Sequence, residues 1–417
     1  MAKAWILHAD RAIMVKSGSS FLLAARRCEI CELEQLALTG ELVNVIGRFI
    51  HALQKERGLS IVFLASHGTR FGDQRLHQVA ECELVERELR AQFDTLDTDS
   101  AGVRNGARLF SRIAVVLHAL DALRALRQRI GVQALPTENA TSAIVRLITG
   151  LLGVVFEATD GATDPEISRA LVALFNFMQG KEFAGQERAF GAAAFASGRT
   201  DAPHQQQWLT LIAAQERCFE VFRDFSGADM LQAWSAHQAG ESLAEIERMR
   251  RIGCALNAQG TLNTKLSHVW FDFCTRRIDA MKALEDLLAA DLRLLCERKI
   301  AQARIEMRDQ QTILDSLARQ AQADNDAPAR YGPQFERSML GLVQEQARRL
   351  QAMGYELETV CAALNERKVV ERAKGLLMAS RKLSEDDAYN MLRQTAMNQN
   401  RRLMDVAEAV LAMSDFL

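Results

Sequence analysis

Proline is scarce in this chain, and that scarcity constrains the fold more than any other feature of the sequence. A chain of 417 residues at the average usage of about 5% would carry about 21 prolines, and this one carries 5. Proline breaks helices because its ring removes a backbone N–H and clashes with the preceding turn. Alanine, leucine, arginine, glutamate and glutamine, which favour helices, are frequent throughout. The sequence therefore predicts an all-α protein.

The charge balance excludes a chain that binds nucleic acid through its overall charge. Lys+Arg number 51 and Asp+Glu number 53, which leaves a formal charge of −2. A charged fraction of 25% and a hydrophobic fraction of 48% are typical of globular proteins. Any affinity for nucleic acid must therefore come from a local basic patch.

Membrane, secretion and metal signals are weak. The N-terminal segment lacks the continuous apolar run of a signal peptide, because His8, Asp10 and Arg11 interrupt it. The most apolar stretch, 147–156, is shorter than the roughly 20 residues of a membrane span. Cys28 and Cys31 have CxxC spacing, but neither a second pair nor flanking histidines complete a zinc site. We therefore expect a cytoplasmic protein with reduced cysteines, no cofactor or metal, and no membrane association.

Motifs of the common enzyme classes are absent from the sequence. It contains no GxSxG, GxGxxG or HExxH, and its eight histidines form no spaced pair. Gly180-Lys181 is followed by Glu182 instead of serine or threonine, so it is not a phosphate-binding loop. We expect that the protein is not an enzyme.

The clearest domain boundary lies at residues 321–333. Acidic, small, proline and glycine residues cluster there, and apolar periodicity stops. The preceding segment, from Thr261 to Asn325, has neither glycine nor proline, and its apolar residues recur at helical spacing. This pattern predicts a helix of up to about 55 residues, roughly 80 Å long.

The first half of the chain contains an internal repeat. Glu56-Arg57 and Glu187-Arg188 are each followed, six residues later, by an apolar residue with Ala-Ser and then by a glycine. Two copies of one helical unit predict two similar four-helix bundles side by side. Coincidence is the alternative, because alanine and serine are common in this chain.

Several arginines lie where the helical pattern requires an apolar side chain. Arg57 shares a helix face with apolar residues, and Arg188, Arg250 and Arg277 have comparable positions, whereas Arg248 points away. A buried arginine keeps its charge and must be paired. Ion pairs with helix carboxylates are one interpretation. Several such arginines on facing helices favour a charged cavity for a small anion, which guanidinium groups suit geometrically.

The region after the boundary is basic and helical. Residues 366–402 carry nine Lys+Arg against five Asp+Glu, a net charge of +4. A long helix with an apolar seam precedes this region, and the seam could pair with a second helix or subunit. A compact three-helix unit follows, with one tyrosine that we expect to be exposed. Basic residues with few aromatics favour recognition of RNA through its phosphate backbone and its shape. The alternative interpretation of these basic residues is an ordinary solvated helix face.

This C-terminal region resembles the ANTAR domain, the small helical RNA-binding module of transcription antiterminators. The resemblance rests on Glu371–Met378, Leu383–Tyr389, Leu392-Arg393, Ala396-Met397 and Val406–Glu408, in the correct order. It implies that basic side chains of the module contact RNA. The candidate RNA-binding residues are Lys374, Arg381, Lys382, Arg393, Arg401 and Arg402.

The upstream region resembles the NIT domain, an all-helical nitrate- and nitrite-sensing domain built from two four-helix bundles. The matching segments are Gln54–Gly58, Lys181–Arg188, Ile246–Arg250 and Trp270 with Thr275–Asp279. In that family two arginines on facing helices hold the anion. The best matching positions are Arg57 and Arg250, although Arg248, Arg251, Arg276 and Arg277 compete for the second role.

The two resemblances together imply a domain order. We predict an N-terminal helical segment at 1–34, a NIT-like sensor at 35–297, a connecting helix and linker at 298–333, and an ANTAR-like RNA-binding domain at 334–417. The order of a NIT and then an ANTAR domain is that of nitrate- and nitrite-responsive antiterminators.

The implied function is nitrate- and nitrite-responsive transcription antitermination. Nitrate or nitrite would neutralise facing arginines that otherwise repel, and would relieve inhibition of the RNA-binding module. The module would then bind a leader mRNA hairpin and prevent terminator formation in nitrate and nitrite assimilation genes. A homodimer is a further expected partner state. The alternative is a helical sensory or adaptor protein whose coiled-coil output binds protein.

Overall fold

The computed structural model describes residues 18–96, 106–238, 241–254, 261–323, 333–381, 383, 385–399 and 401–414. In these ranges the regular secondary structure is α-helical, apart from one isolated bridge between Arg199 and Thr261. The prediction of an all-α fold is confirmed.

The helices are long, as expected for a chain with few breakers. In chain order they are α1 (Gly18–Ala65), α2 (Gly72–Asp94), α3 (Gly106–Gly131), α4 (Thr137–Asp160), α5 (Pro165–Ser197), α6 (Ala202–Phe225), α7 (Ala228–Gln238), α8 (Glu241–Cys254), α9 (Leu266–Ala323), α10 (Pro333–Arg381), α11 (Glu385–Gln399) and α12 (Leu403–Ser414). The predicted long helix is confirmed as α9, which has 58 residues.

The chain divides into two compact units. One comprises Met1–Gln35 and Cys296–Gly354, and the other comprises Leu36–Leu295 and Tyr355–Leu417. Helices α1, α9 and α10 each contribute residues to both units. The predicted domain boundaries stay predictions, and the predicted linker lies largely outside the described residues.

In the larger unit, α1 packs with α2, α3 and α4 in a first bundle. Phe63 and Leu64 of α1 are buried against Ile130 of α3 and Ala140 of α4. Burial of each large apolar side chain contributes about 1.5–3 kcal/mol, so such contacts hold the helices together. Gln78 of α2 donates a hydrogen bond of 3.4 Å to a backbone carbonyl of α1.

A second bundle is formed by α5, α6, α8 and α9 around aromatic side chains. Trp208 of α6 and Trp270 of α9 meet edge to face at 5.2 Å between ring centroids, and both contact Phe195 of α5. Glycines permit this close packing. A Cβ at Gly191 would lie 2.5 Å from the Trp270 ring, and one at Gly253 would lie 2.2 Å from Trp208.

The two copies of the repeated motif lie in corresponding helices, α1 of the first bundle and α5 of the second. The helix in each case ends shortly before a glycine with a positive φ, 78° at Gly68 and 68° at Gly198. Such a left-handed conformation suits glycine because it lacks a Cβ. The repeat therefore reflects two helices that carry the same charged motif and that each end soon after it, near a glycine in the left-handed conformation.

The C-terminal module is a three-helix unit with its own small core. Ala373 and Leu377 of α10 pack against Ala388 and Leu392 of α11 and against Val406 and other residues of α12. The predicted three-helix arrangement is confirmed for the described residues of this region.

Two helices in the described part of the chain, α1 and α4, are long and apolar enough to cross a membrane by length and composition alone. About half of each apolar window is buried, 50% in α1 and 44% in α4. The apolar character of α4 thus extends beyond the stretch 147–156. Core helices of a bundle have the same property, so this finding is weak support for a membrane span.

Candidate anion site and RNA interface

Arg57 is the most deeply buried of the predicted site residues. Its Nη1 lies 2.5 Å from Glu182 Oε1 and its Nη2 lies 3.2 Å from Glu182 Oε2, so α1 and α5 are joined by a two-point ion pair. Glu182 also accepts hydrogen bonds from Gln54 at 2.8 Å and from Gln186 at 3.0 Å. Arg57 therefore has a carboxylate counter-charge inside the protein.

Arg250 has a similar partner. Its Nε and Nη2 lie 2.7 and 2.6 Å from the carboxylate of Glu187, which also accepts hydrogen bonds from Trp208 and Gln215. Burial acts to raise the pKa of Glu187, but the charge and hydrogen bonds of Arg250 outweigh it and hold that pKa below its usual value. Glu247 is a second counter-charge, 2.5 Å from Arg250 Nη1.

The two predicted anion ligands thus contact different glutamates of α5. Glu182 and Glu187 are five residues apart, and in the described part of the chain Arg57 and Arg250 have no hydrogen-bond partner in common. Arg57 and Arg250 are therefore not bare charges that face each other in this structure, and their role as anion ligands stays a prediction. The physical reason is that each guanidinium is already neutralised by a buried carboxylate.

Arg188 differs because its polar contacts are neutral. Its Nη1 donates to Thr275 Oγ1 at 3.0 Å, and its Nη2 donates to the Gln54 carbonyl at 3.1 Å. Its Nε is buried without a hydrogen-bond partner among the described residues. Burial, followed by the nearby charge of Arg57, lowers the pKa of Arg188 to about 10. Arg188 is therefore a poorly neutralised cation in the interior.

Arg277 is also poorly neutralised. Its Nη1 donates to Gln215 Oε1 at 3.1 Å, and its closest carboxylate contact in the described structure is 4.0 Å, to Glu187. Burial and the charge of Arg250 lower the pKa of Arg277. Among the arginines that compete with Arg250 in sequence, Arg277 is buried, whereas Arg248, Arg251 and Arg276 are exposed.

The sequence interpretation missed the carboxylate partners on α5. Glu182, Glu187 and Lys181 are buried together with Arg188, on several sides of one helix. A helix that is covered all round has no single apolar stripe, so its inner polar positions cannot be identified from periodicity. The repeated Glu-Arg pair and the resemblance over Lys181–Arg188 were signals for Glu187, but neither identified its partner.

The first bundle has its own buried ion pair. Glu56, the glutamate of the first motif copy, accepts hydrogen bonds from Arg127 of α3 at 3.0 and 2.8 Å. Glu187 binds Arg250 of α8 in the second bundle in the same manner. In both copies the glutamate is paired with an arginine of its own bundle.

The predicted RNA-binding residues have different environments. Arg381, Arg401 and Arg402 are exposed, and Arg393 is half-buried. Lys374 is 7% exposed, because it lies on the face of α10 that is packed inward beside Ala373. It is therefore not at the surface in this conformation, and its role in RNA binding stays a prediction. Lys382 lies outside the described residues.

The C-terminal module contacts the second bundle. Val360 of α10 is 2% exposed and packs with Val172 of α5, next to Phe156 and Phe225. The guanidinium carbon of Arg217 in α6 lies 5.4 Å from the centre of the Tyr389 ring in α11. The expectation that this tyrosine is exposed is wrong, since Tyr389 is half-buried under Arg217.

Across the described ranges, no group of three or more His, Cys, Asp or Glu side chains could hold a metal ion. Cys28 and Cys31 of the CxxC segment are exposed and free.

Comparison with known proteins relates both regions to characterised families. A family model described as "Nitrate and nitrite sensing" (NIT) matches residues 48–293, and the ANTAR domain model matches residues 358–411. The chain is 34% identical to the nitrate regulatory protein of Klebsiella oxytoca over 399 residues, which is 93% of each chain. It is 39% identical over 64 residues, 15% of this chain and 31% of the relative, to the transcriptional regulatory protein PdtaR of Mycobacterium tuberculosis. A solved structure described as that of the NasR transcription antiterminator is similar with a TM-score of 0.61 and 30% identity, covering 95% of this chain and 99% of that one.

Proposed function

The chain belongs to the family of nitrate- and nitrite-sensing antitermination regulators that join a NIT domain to an ANTAR domain, and we propose that the anion acts on it by disturbing the ion pairs of Arg57 and Arg250. Nitrate and nitrite are planar monoanions that a guanidinium group binds through two N–H donors. The observation that carries this proposal is the set of buried arginines around α5. Nitrate or nitrite is the effector, and no cofactor is required.

The proposed event in the sensor is a change of counter-charge. Arg57 and Arg250 are held by Glu182 and Glu187, and an anion that binds nearby competes with these carboxylates for the guanidinium donors. Because two like charges in a low-dielectric interior repel strongly, the carboxylates must then move. Movement of Glu182 or Glu187 moves α5, which both bundles contact.

The proposed output is release of the RNA-binding module from the sensor. Val172 of α5 packs with Val360 of α10, and Arg217 covers Tyr389 of the module. A shift of α5 weakens these contacts and frees the module to bind RNA. This coupling supports a sensor that restrains its output when no anion is bound.

The proposed RNA target is a hairpin in leader mRNA. Arg381, Arg401 and Arg402 are exposed, so they are available to phosphates. Hairpin binding prevents terminator formation, and genes for nitrate and nitrite assimilation are transcribed through. Since the ANTAR match covers the output region, RNA is favoured over protein as its partner. This activity belongs in the cytoplasm.

A homodimer is the proposed assembly. Leu340, Val343 and Leu350 of α10 are 56%, 48% and 57% exposed and follow the three-four spacing of a heptad seam. A seam of this kind is covered when the same helix of a second copy packs against it. A dimer also presents two RNA-binding modules.

The test of the proposed function combines calorimetry with transcription. Purified full-length protein should bind nitrate and nitrite, and it should suppress termination on a leader template only when the anion is present. Arg250→Ala should lose both responses, whereas Arg248→Ala, which changes an exposed neighbour, should keep them. Normal nitrate affinity of Arg250→Ala would show that Arg250 is not an anion ligand.

Charge reversal tests the RNA surface. Arg402→Glu should weaken binding of the leader hairpin and lower the slope of log affinity against log salt by about one for the lost phosphate contact. An unchanged salt slope would exclude a phosphate contact at this position.

A further inference from the structure

The two copies of the repeated motif make reciprocal contacts between α1 and α5. Glu56 is paired with Arg127 of its own bundle, and Glu187 is paired with Arg250 of its own bundle. The adjacent arginines point the other way, because Arg57 of α1 binds a side chain of α5 and Arg188 of α5 binds a carbonyl of α1. Each helix thus sends one arginine to the other.

One carboxylate is missing from this arrangement. Arg57 binds Glu182, which lies six positions before Arg188 on α5. The residue six positions before Arg57 on α1 is His51, so a histidine occupies the position that corresponds to Glu182. Arg188 therefore has no counterpart of the carboxylate that neutralises Arg57.

The surroundings of His51 confirm that positive charge accumulates there. Burial, followed by the charges of four nearby cations, lowers the pKa of His51 to about 2, so the imidazole is neutral; these cations are Lys181, Lys55, Lys282 and Arg188. The carboxylates of this region are already engaged: Glu285 lies 2.6 Å from Lys181, and Asp279 lies 3.7 Å from Lys55 and 3.9 Å from His51.

Unused hydrogen-bonding atoms occur at the same place. Among the described residues, His51 Nδ1, Arg188 Nε and Gln54 Oε1 are buried without a hydrogen-bond partner. Buried polar atoms are normally paired, so an unpaired donor on a cation indicates that a group is missing. Gly58 allows this cation to lie close to α1, since a Cβ at that position would lie 2.9 Å from Arg188 Nη2.

We infer that the position left without a carboxylate, between Arg188 and His51, is the seat of a planar monovalent oxyanion. This inference rests on the proposed function, and it identifies which arginine the anion meets first. Arg57 and Arg250 must give up a buried glutamate to bind an anion, whereas Arg188 gives up only neutral acceptors. The anion in this seat gives Arg188 a counter-charge comparable to the one that Glu182 gives Arg57.

Shape selects the class of ligand. Nitrate and nitrite resemble a carboxylate group because they are planar, carry one negative charge and present two oxygens side by side. A guanidinium fork fits that geometry, and a spherical halide satisfies it less well. A neutral His51 adds a nitrogen that donates or accepts without adding charge.

The decisive variant is His51→Glu, which builds the missing carboxylate into the chain. It should neutralise Arg188 internally and weaken nitrate binding about 10- to 150-fold, the range of a charge-assisted hydrogen bond. The matched control, His77→Glu, makes the same substitution at a histidine of α2 whose side chain is 80% exposed, and it should bind nitrate as the wild type does. Calorimetry of the full-length variants with sodium nitrate, with sodium chloride as the reference salt, measures both.

A second variant keeps the inference testable if His51→Glu does not fold. Arg188 has no carboxylate partner, so Arg188→Gln strands no buried charge and should keep the wild-type thermal midpoint while nitrate binding is lost. Folded His51→Glu or folded Arg188→Gln with wild-type nitrate affinity would overturn the seat. Nitrate binding that needs Arg57 and Arg250 but not Arg188 would overturn the seat and leave the proposed function intact. Absence of nitrate binding by the wild type would overturn both.

Discussion

At the scale of single residues, buried arginines have two different roles in this protein. Arg57 and Arg250 have a structural role beside the proposed sensory one, because each is the counter-charge of a buried glutamate. Removal of one partner of such a pair leaves an uncompensated charge in the interior. Arg188 and Arg277 lack a close carboxylate of their own. Keeping them charged in the interior costs free energy, and a bound anion would lower that cost.

Arg57→Ala should therefore reduce both stability and nitrate binding. It leaves Glu182 buried with amide donors only, which should lower the free energy of unfolding by about 3–5 kcal/mol. Arg57→Ala/Glu182→Gln should recover most of that stability and still not bind nitrate. Urea denaturation and calorimetry measure the two effects.

The control for this prediction is Arg48→Ala. Arg48 forms an ion pair of 2.7 Å with Glu88 on the surface, and the two side chains are 41% and 53% exposed. Exposed pairs contribute about 1 kcal/mol at most, so this variant should be nearly as stable as the wild type. If the double variant is as unstable as Arg57→Ala, the loss of stability does not come from a stranded Glu182.

His51 should make stability depend on pH. Its pKa is about 2 in the folded protein, because of burial and neighbouring cations, and near 6.5 in the unfolded chain. As the pH falls below about 6.5, only the unfolded chain takes up this proton, so the free energy of unfolding should fall by up to about 1.4 kcal/mol per pH unit. Denaturation of wild type and His51→Gln between about pH 7 and 5 measures this difference, and identical pH slopes would contradict it.

At the scale of helices, α5 and α10 connect the sensor to its output. α5 carries Glu182, Glu187 and Arg188 on buried sides and contacts α10 through Val172. A helix covered on several sides cannot move without changing several contacts at once. We therefore expect that displacement of a carboxylate on α5 changes the contact between α5 and α10 of the module. α10 also carries the exposed apolar seam of Leu340, Val343 and Leu350, where we propose that a second copy packs.

Substitution in that seam should separate a dimer. Leu340→Glu/Leu350→Glu places like charges where two copies of α10 would meet, so the protein should become monomeric. Ala352→Glu adds the same charge at an exposed position off the seam and should leave the assembly unchanged. Analytical ultracentrifugation measures the mass, and a dimer that persists in the double variant would place the interface elsewhere.

At the scale of the whole molecule, the protein works as a switch only if the restrained and released states have similar free energies. A ligand that binds one state at 100 times its dissociation constant shifts the equilibrium by at most about 2.7 kcal/mol. The apolar cluster of Val172 with Val360 and the cation–π contact of Arg217 with Tyr389 are each small enough to be overcome by such a shift.

Val360→Asp should remove the restraint. An aspartate in the cluster with Val172 would be buried beside apolar side chains, and this cost should favour the released module. The variant should bind the leader hairpin and suppress termination without nitrate in a purified transcription assay. Ser380→Asp, at an exposed position of the same helix, should remain nitrate-dependent. Continued dependence on nitrate in Val360→Asp would exclude this contact as the restraint.

Local sequence determined much of this protein. The near absence of proline predicted the helices, the uninterrupted segment from 261 predicted α9, and apolar periodicity placed Arg57, Arg188, Arg250 and Arg277 in the interior. These properties depend on the conformation of each helix and on its pattern of apolar faces, which neighbouring residues specify. The order of motifs also identified the two domain families.

Only the tertiary structure decided which charges meet. Arg57 and Glu182 are 125 residues apart, Arg250 and Glu187 are 63 apart, and Tyr389 lies under an arginine of another helix. Periodicity says that a side chain points inward, but it does not say which helix packs opposite. That choice depends on the fit between helix surfaces distant in the chain. For this reason the sequence indicated an anion site among arginines, and packing decided that two of them are neutralised and that Arg188 is not.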